Sequence, residues 1–412
     1  MVRPTLCLLL LALLLRPAGA LHAYGTDPWK KNEEAIALIE QHKFDGAIKI
    51  LRQLEVEVPD KAVRLNLAVA YLGAAQQQFH SGQYKQAADL ALAGREYNDG
   101  DARFWLLRGT ALYRQGKFGE AESELNEAWT LSGDEPQVLS QLGQLYYDTD
   151  RMDQAIDLWR RARELAPDDK VLAAKLAQAE REQRVEGKLE RTYSAHFILS
   201  YAENQKAAIG GAILDALEEA YTWAGARLGH YPERQVTVIL YTQRQFAGLT
   251  GSPDWAAGLY DGKIRLPIGG LTRVDAQVRA LLSHEFMHVM VYEMAGSKAP
   301  FWLNEGLAEI AGREASAPPL RHLEAALEKK RLLPLQTLGG DFRQIDTKQI
   351  GLAYEQSYAF TAYLIDRFGW YQMTELLNAL RSGLAVDAAI AGVYGDYGVD
   401  LAQLDRDWRQ QL

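Results

Sequence analysis

Alanine residues recur along the N-terminal half of the chain at a fixed distance of 34 residues. Ala87, Ala121 and Ala155 each follow an aromatic or large apolar residue by three positions and precede a small residue by seven. The segment around Ala47 has the same aromatic marker but lies 40 residues before Ala87, which indicates an insertion in one repeat. Because each unit of such an array packs on its neighbours, this period predicts a row of helix pairs.

The order of small and aromatic positions within each unit resembles that of the tetratricopeptide repeat. Small residues let two helices approach closely, aromatic residues fill the gaps between them, and Pro59 and Pro167 close two of the units. The resemblance implies an all-α solenoid over residues 28–190 that recruits a protein partner or a substrate. A generic helical bundle is the alternative interpretation.

The first twenty residues have the pattern of a secretory signal. Arg3 precedes an apolar run at 6–15, and the segment ends in the small residues of 18–20. The run is too short to span a bilayer comfortably, and an uncleaved anchor is the alternative. We therefore predict a signal peptide at 1–20 and a secreted or periplasmic protein with no membrane span after cleavage.

The charge balance argues against a nucleic-acid partner. The chain has 45 Lys and Arg residues against 54 Asp and Glu residues, a net charge of −9, and removal of Arg3 and Arg16 with the predicted signal makes it −11. Nucleic acids are bound mainly through basic side chains, so we expect a protein or peptide ligand instead. The single cysteine, Cys7, lies in the predicted signal, so the mature chain has no disulfide.

After about residue 191 the pattern changes from helical repeats to strands followed by helices. The segments 195–202 and 235–242 are rich in β-branched and aromatic residues, and the segment between them has helical spacing. Glycines bound the segment 262–268, which we interpret either as an edge strand that pairs with an extended peptide or as a plain hairpin. The second domain, at 191–412, is therefore predicted to be α+β.

Two histidines in the sequence HEFMH are spaced to bind one metal ion. His284 and His288 lie in a predicted helix capped by Asp275, and residues four apart share one face of a helix. Zn²⁺ suits such a pair, because imidazole nitrogen is one of its favoured ligands. Glu285 stands beside the first histidine, where it can take a proton from water as the general base.

Helix geometry predicts which of the acidic residues after this motif point toward the histidine pair. Glu293 points roughly 140° away from His288 on the same helix, so it cannot ligate. A glycine and a proline within 296–300 then interrupt the helix, and a second helix folded back through this turn can bring Glu305 to the metal. Glu309, one turn farther, is placed to hydrogen-bond the second nitrogen of a ligating histidine.

HEFMH followed by WLNEGLAE resembles the gluzincin metallopeptidases, which include thermolysin-like and aminopeptidase N-like enzymes. The resemblance implies a zinc ion bound by His284, His288 and Glu305, with Glu285 as the base. Gly306 of this motif is expected to let the two site helices approach closely. A repeat array followed by such a unit also resembles the peptidase-MA-like proteins of bacteria, and it implies a thermolysin-like or aminopeptidase N-like second domain.

A tyrosine in a later helical segment is a candidate for stabilising the oxyanion that forms during amide hydrolysis. The sequence YEQS resembles the YEKG of aminopeptidase N-like enzymes, whose tyrosine donates a hydrogen bond, and this points to Tyr354. Tyr358, one turn later, is the competing donor, and a core role for both tyrosines is the alternative. The GxMEN segment of aminopeptidases has no counterpart in this sequence, which favours endoproteolysis over aminopeptidase activity.

Two functions of different classes fit these observations. The first is a secreted or periplasmic zinc metallopeptidase whose repeats recruit a protein partner or substrate. The alternative is an envelope assembly scaffold whose repeats bind partners and whose metal-binding domain is structural or idle. The two hypotheses differ in whether Glu285 is needed for function.

Overall fold

A computed structural model describes residues 26–202, 207–250, 258–260, 262–340 and 344–412. The predicted signal peptide at 1–20 lies outside these residues. Chain packing divides the protein into two compact units between Glu180 and Arg181, and the domain bounds 28–190 and 191–412 stay predictions. Within the described ranges, no helix has the length and apolar character needed to cross a membrane.

The N-terminal unit consists of successive helix pairs. The alanine that marks each repeat is fully buried in the second helix of its pair. A larger side chain there would push the paired helices apart, which explains the constant spacing. The helices are α1 (Thr26–Glu40), α2 (Phe44–Glu57), α3 (Lys61–His80), α4 (Tyr84–Arg95), α5 (Ala102–Arg114), α6 (Phe118–Ser132), α7 (Pro136–Asp148), α8 (Met152–Leu165) and α9 (Lys170–Glu186).

The longer spacing between Ala47 and Ala87 lengthens one helix. α3 has 20 residues, whereas α5 and α7, which begin the later pairs, have 13 each. The carboxylate of Asp60 caps the longer helix by accepting a hydrogen bond from the backbone N–H of Ala62. The insertion therefore extends a helix within the array and leaves the pairing of helices intact.

The second unit combines a small sheet with a larger set of helices. This content confirms the predicted α+β class: two of the described helices lie between strands along the chain, and the others follow the last strand. The strands are β1 (Leu189–Tyr193), β2 (Phe197–Ala202), β3 (Val236–Leu240), β4 (Leu259–Tyr260) and β5 (Ile264–Leu266). The helices are α10 (Ala207–Leu228), α11 (Gln243–Thr250), α12 (Ala276–Ala295), α13 (Phe301–Arg313), α14 (Arg321–Glu328), α15 (Leu335–Gly339), α16 (Ile350–Arg381), α17 (Val386–Tyr394) and α18 (Leu401–Gln411).

The described strands form one sheet in the order β1-β2-β3-β5-β4. β2, β3 and β5 are parallel to one another, while β1 and β4 run antiparallel on the two outer sides. The edge position predicted for 262–268 is therefore wrong, because β5 lies between β3 and β4 and the two-residue β4 forms the edge. The alternative prediction is correct, since β4 and β5 pair antiparallel as a hairpin.

Two aromatic contacts fix the helices that carry the HEFMH and WLNEGLAE sequences. Phe286 on α12 packs edge-to-face on Phe197 of β2, with ring centroids 5.4 Å apart. Trp302 on α13 packs in the same way on Phe360 of α16, with centroids 4.9 Å apart. All four side chains are buried in one core. This core therefore holds α12 on the sheet and α13 on α16.

Buried charges attach the last turns of α9 to the sheet. Arg265 on β5 is 1% exposed, and its guanidinium lies 2.9 Å from Glu182 and 2.5 Å from Glu186. The Lys263 ammonium and the Tyr241 hydroxyl also contact the Glu186 carboxylate. Burial acts to raise the pKa of Glu186, but Lys263 and Arg265 outweigh it and lower that pKa. The residues from Arg181 onward thus pack as part of the second unit.

We expect Arg265→Gln to lower the free energy of unfolding of this unit by about 3–5 kcal/mol, because it leaves buried carboxylates with too little opposing charge. Urea unfolding of the full chain, followed by tryptophan fluorescence, measures the change. Arg279→Gln is the matched control, since Arg279 forms an exposed pair with Glu219, and its effect should stay within about 1 kcal/mol. Equally small effects of the two substitutions would contradict a stabilising role for the buried network.

Candidate metal centre

The structure brings His284, His288 and Glu305 together at the contact between α12 and α13. The two imidazole rings are one helical turn apart, with centroids separated by 4.9 Å. One carboxylate oxygen of Glu305, Oε2, lies 3.6 Å from His284 Nε2 and 3.7 Å from His288 Nε2. The three candidate ligand atoms all lie within 4.8 Å of one another.

This arrangement fits a zinc ion. Glu305 Oε2 is buried and makes no hydrogen bond to the described residues, although it faces two imidazole nitrogens. Ligands about 2.0–2.1 Å from a tetrahedral zinc ion lie roughly 3.4 Å from one another, close to the separations seen here. Two neutral imidazoles and one carboxylate form a donor set that catalytic zinc sites use with one position left open.

Two glycines on α13 allow this helix to pack closely on α12 and on α16. A Cβ atom on Gly312 would lie 3.0 Å from the carbonyl oxygen of Ala280, so this glycine allows the approach of α13 to α12. A Cβ atom on Gly306 would overlap Thr361 and lie 2.5 Å from the carbonyl oxygen of Ser357, both on α16. The role predicted for Gly306, close approach to the HEFMH helix, is therefore wrong, because that residue faces α16.

Each candidate histidine ligand has a polar partner at its second ring nitrogen. Glu309 Oε1 lies 3.5 Å from His284 Nδ1, the second ring nitrogen of a candidate ligand, where Glu309 was predicted to lie. Asn304 Oδ1 lies 3.1 Å from His288 Nδ1. Such partners select the tautomer that leaves Nε2 free to bind a metal. Asn304 was not predicted from the sequence, although it lies directly before the candidate ligand Glu305.

The carboxylates around His284 change its ionisation in the metal-free protein. Burial alone would lower the pKa of His284, but Glu305, Glu285 and Glu309 outweigh it and raise the pKa to about 9. Burial also acts to raise the pKa of Glu305, yet His288 and His284 lower it overall. For Glu285, burial dominates and its pKa is raised, despite the opposing effect of the two histidines.

The two candidate tyrosines on α16 have different surroundings. The pKa of Tyr354 is raised, first by burial and then by the carboxylates of Glu305, Glu285 and Glu309, so its hydroxyl lies within the electrostatic field of the site. Tyr358 instead lies under the guanidinium of Arg313, whose central carbon is 4.4 Å from the ring centroid. These surroundings favour Tyr354 as the hydroxyl that faces the candidate ligands.

Two further residues of the second unit, one acidic and one histidine, lie outside the site. Glu293 pairs with His230, with Oε2 2.9 Å from Nε2, on a part of α12 that faces α10 and its following turn. His196 contacts Glu218 through Nδ1 at 2.6 Å and stacks on Tyr221 with centroids 3.8 Å apart. Neither belongs to the group of ligand atoms formed by His284, His288 and Glu305.

The backbone of the sheet edge reaches the candidate base. Gly258 directly precedes β4, and a Cβ atom on this residue would overlap the carboxylate of Glu285. Tyr260 at the end of β4 packs edge-to-face on Tyr292 of α12, with centroids 5.7 Å apart. The outer edge of the sheet therefore begins beside the Glu285 carboxylate.

Comparison with known families agrees with both units. Residues 217–412 match the Peptidase MA superfamily, and residues 72–136 and 112–179 match two models of the tetratricopeptide repeat. The protein thus consists of N-terminal tetratricopeptide repeats followed by a Peptidase MA superfamily domain, which confirms the predicted architecture. Members of this superfamily are generally zinc-dependent, and the match indicates a hydrolase of the metallopeptidase type.

Curated relatives of this chain include the proteins named SprT. Those of Salmonella arizonae and Salmonella newport are 32% and 31% identical to this chain over 113 residues, which is 26% of this chain and 63% of each SprT protein. The chain thus spans less than two thirds of the length of these relatives.

Solved structures similar to this chain include repeat proteins. The first TPR domain of the human RPAP3 protein is 22% identical, with a TM-score of 0.28, and the match covers 29% of this chain and 93% of that domain. A thermophilic TPR protein of Thermus thermophilus is 25% identical, with a TM-score of 0.27, and the match covers 39% of this chain and 84% of that protein.

The raised pKa of His284 predicts how stability of the metal-free protein changes with pH. The folded protein keeps this proton up to about pH 9, whereas an unfolded histidine loses it near pH 6.5, roughly the usual value. Its contribution to stability is therefore complete below about pH 6.5 and is lost as the pH rises through about 9. We expect the free energy of unfolding to fall by up to about 1.4 kcal/mol per pH unit across this window.

Urea unfolding of chelator-treated protein at several pH values measures this slope. His284→Gln should remove it, while His322→Gln, which changes an exposed histidine paired with Glu355, should keep it. A slope that survives His284→Gln unchanged would assign the pH dependence to another group.

Proposed function

We propose that this protein is a zinc-dependent metallopeptidase that hydrolyses peptide bonds in the interior of protein chains. The observation that carries the proposal is the cluster of His284, His288 and Glu305, with the buried Glu285 next to His284 on α12. A cluster of metal ligands with an adjacent carboxylate has the parts that metal-assisted hydrolysis requires. The match to the Peptidase MA superfamily supports the same reaction class.

The proposed zinc ion would be held by His284 Nε2, His288 Nε2 and Glu305 Oε2. Bound zinc supplies Lewis-acid chemistry, which lowers the pKa of water and polarises a carbonyl group. Glu309 and Asn304 keep the two imidazoles oriented through their Nδ1 atoms. The packing of α12 on α13 therefore sets the geometry of the three ligands before zinc binds.

Glu285 is the proposed general base. Glu285 is only 4% exposed, and in this proposal its carboxylate takes a proton from the attacking water and returns it to the leaving amine. An extended peptide that pairs along the outer side of β4 passes this carboxylate, because Gly258 brings the strand's backbone against Glu285. Backbone pairing at an edge strand accepts the middle of a chain, which suits endoproteolysis.

Tyr354 is the proposed donor to the oxyanion. The assignment is supported by the raised pKa of its hydroxyl, to which burial contributes most and the carboxylates of Glu305, Glu285 and Glu309 also contribute. A hydrogen bond from this hydroxyl to the carbonyl oxygen of the scissile bond grows stronger as negative charge develops there. The donor would thus stabilise the transition state more than the bound substrate.

The proposal also assigns roles to the tetratricopeptide repeats and to the predicted signal peptide at 1–20. Tetratricopeptide repeats generally mediate protein interactions, so we assign the N-terminal unit the recruitment of a protein partner or substrate. The pattern of residues 1–20 supports export, and we propose that the mature protein acts in the periplasm or outside the cell.

The substitution Glu285→Gln tests the proposed reaction. Wild-type protein should contain about one zinc ion per chain, and the variant should keep the ion but cleave at least about 100-fold more slowly, because it lacks the base. Metal analysis and a library of fluorogenic peptides blocked at both ends measure the two quantities. Glu293→Gln, on the same helix but paired with His230, is the control and should cleave normally.

Complementation of a deletion strain separates this function from that of a scaffold. If Glu285→Gln restored the wild-type phenotype at normal protein levels, the metal unit would be idle and the repeats would carry the function. Failure of this variant, alongside success of Glu293→Gln, would support catalysis.

The two tyrosines of α16 are distinguished by single substitutions. We expect Tyr354→Phe to lower kcat about 100-fold, since removal of one oxyanion donor has an effect of this size. Tyr358→Phe keeps the ring that Arg313 covers, so its activity should stay close to that of wild type. Steady-state kinetics at equal zinc content measure both, and a larger loss for Tyr358→Phe would reverse the assignment.

A further inference from the structure

The Glu309 carboxylate lies between two cationic or proton-donating groups. Its Oε1 atom is 3.5 Å from His284 Nδ1, and its Oε2 atom is 3.5 Å from the Nε atom of Arg313, one helical turn farther along α13. Each oxygen therefore has its own partner. A carboxylate on a flexible side chain keeps such an orientation only when its other oxygen is also held.

Arg313 is itself fixed by two further contacts. Its Nη1 atom donates a hydrogen bond of 2.7 Å to the carbonyl oxygen of Pro318, and its guanidinium lies over the ring of Tyr358 on α16. The side chain is only 11% exposed, and Nε makes no hydrogen bond to any described residue. The planar guanidinium suits stacking and charge pairing at the same time, which a lysine ammonium does not.

We propose that Arg313 is a positioning residue of the candidate metal centre. Held by Tyr358 and Pro318, it fixes the Glu309 carboxylate, and Glu309 in turn orients His284 so that Nε2 faces Glu305 and His288. The inference rests on the proposed binding of zinc at this site. It extends the site to a series of side chains from His284 through Glu309 and Arg313 to Tyr358.

The two histidines would depend on such support to different degrees. His288 receives a short amide side chain, Asn304, whose Oδ1 atom lies within hydrogen-bonding distance at 3.1 Å. His284 faces a longer carboxylate at 3.5 Å, and that carboxylate has more rotatable bonds to fix. The contact of Arg313 with the second oxygen of Glu309 provides the additional support that the longer carboxylate side chain needs. In this proposal Tyr358 supports Arg313, whereas Tyr354 is the donor to the oxyanion.

The affinity of the full-length protein for zinc, measured by competition with a chelator, tests the proposal. Arg313→Gln should raise the dissociation constant about tenfold, at the lower end of the usual effect of an outer partner of a ligand. Arg313→Lys should recover part of the affinity, because it restores the charge but not the planar group. The matched control is Arg367→Gln, which also loses an ion pair, with Asp407, and an aromatic contact, with Phe368.

A double substitution shows whether Arg313 acts through Glu309. Glu309→Gln combined with Arg313→Gln should bind zinc as Glu309→Gln alone does, since the second change has nothing left to act on. Additive losses, or an Arg313→Gln variant that binds zinc like wild type while its zinc-free form melts at a lower temperature, would overturn the proposal.

The wild-type measurements separate this inference from the proposed function. Wild-type protein that binds no zinc would overturn both. Wild-type protein that binds zinc and shows the Arg313 effect, yet cleaves peptides no faster than Glu285→Gln, would contradict the peptidase function and leave the positioning role in place.

Discussion

Glu305 can face His284 and His288 because α13 folds back against α12 within the five residues of 296–300. Gly296 follows α12 in a backbone conformation with a positive φ of 60°, which favours glycine, and Pro300 directly precedes α13. The missing side chain of Gly312 then lets the helices touch. The ligand cluster is thus a property of the helix pair, and each half of it is incomplete without the other.

A third helix, α16, determines the surroundings of this pair. It packs on α13 at Gly306, where Ser357 and Thr361 occupy the space a side chain would need. The same helix directs Tyr354 into the field of the site carboxylates and Tyr358 under Arg313. One helix therefore contributes both the candidate oxyanion donor, Tyr354, and the ring of Tyr358 that contacts Arg313.

The sheet connects this helical site to two distant parts of the chain. Arg265 of β5 pairs with Glu182, 83 residues earlier, so the last turns of α9 become part of the second unit. The short strand β4, which pairs with β5, begins beside the carboxylate of Glu285. Among the described strands, β4 is therefore the edge strand that lies nearest to the candidate base.

Local periodicity was sufficient for several predictions. The 34-residue spacing identified the repeats, and the spacing of four placed His284 and His288 on one face, because a helix alone determines which of its residues are neighbours. The same argument placed Glu305 and Glu309 on one face of the next helix. The Asp275 cap was also predicted, and its carboxylate accepts hydrogen bonds from two backbone N–H groups at the start of α12.

Tertiary structure decided the partners across elements. The sequence did not show that Gly306 faces α16, that β5 lies inside the sheet, or that Asn304 supports His288 and Arg313 supports Glu309. Each of these depends on the distance and rotation between separate helices or strands. Those quantities are set by packing over the whole core, whereas the repeats and the spacing of the metal ligands are set within single helices.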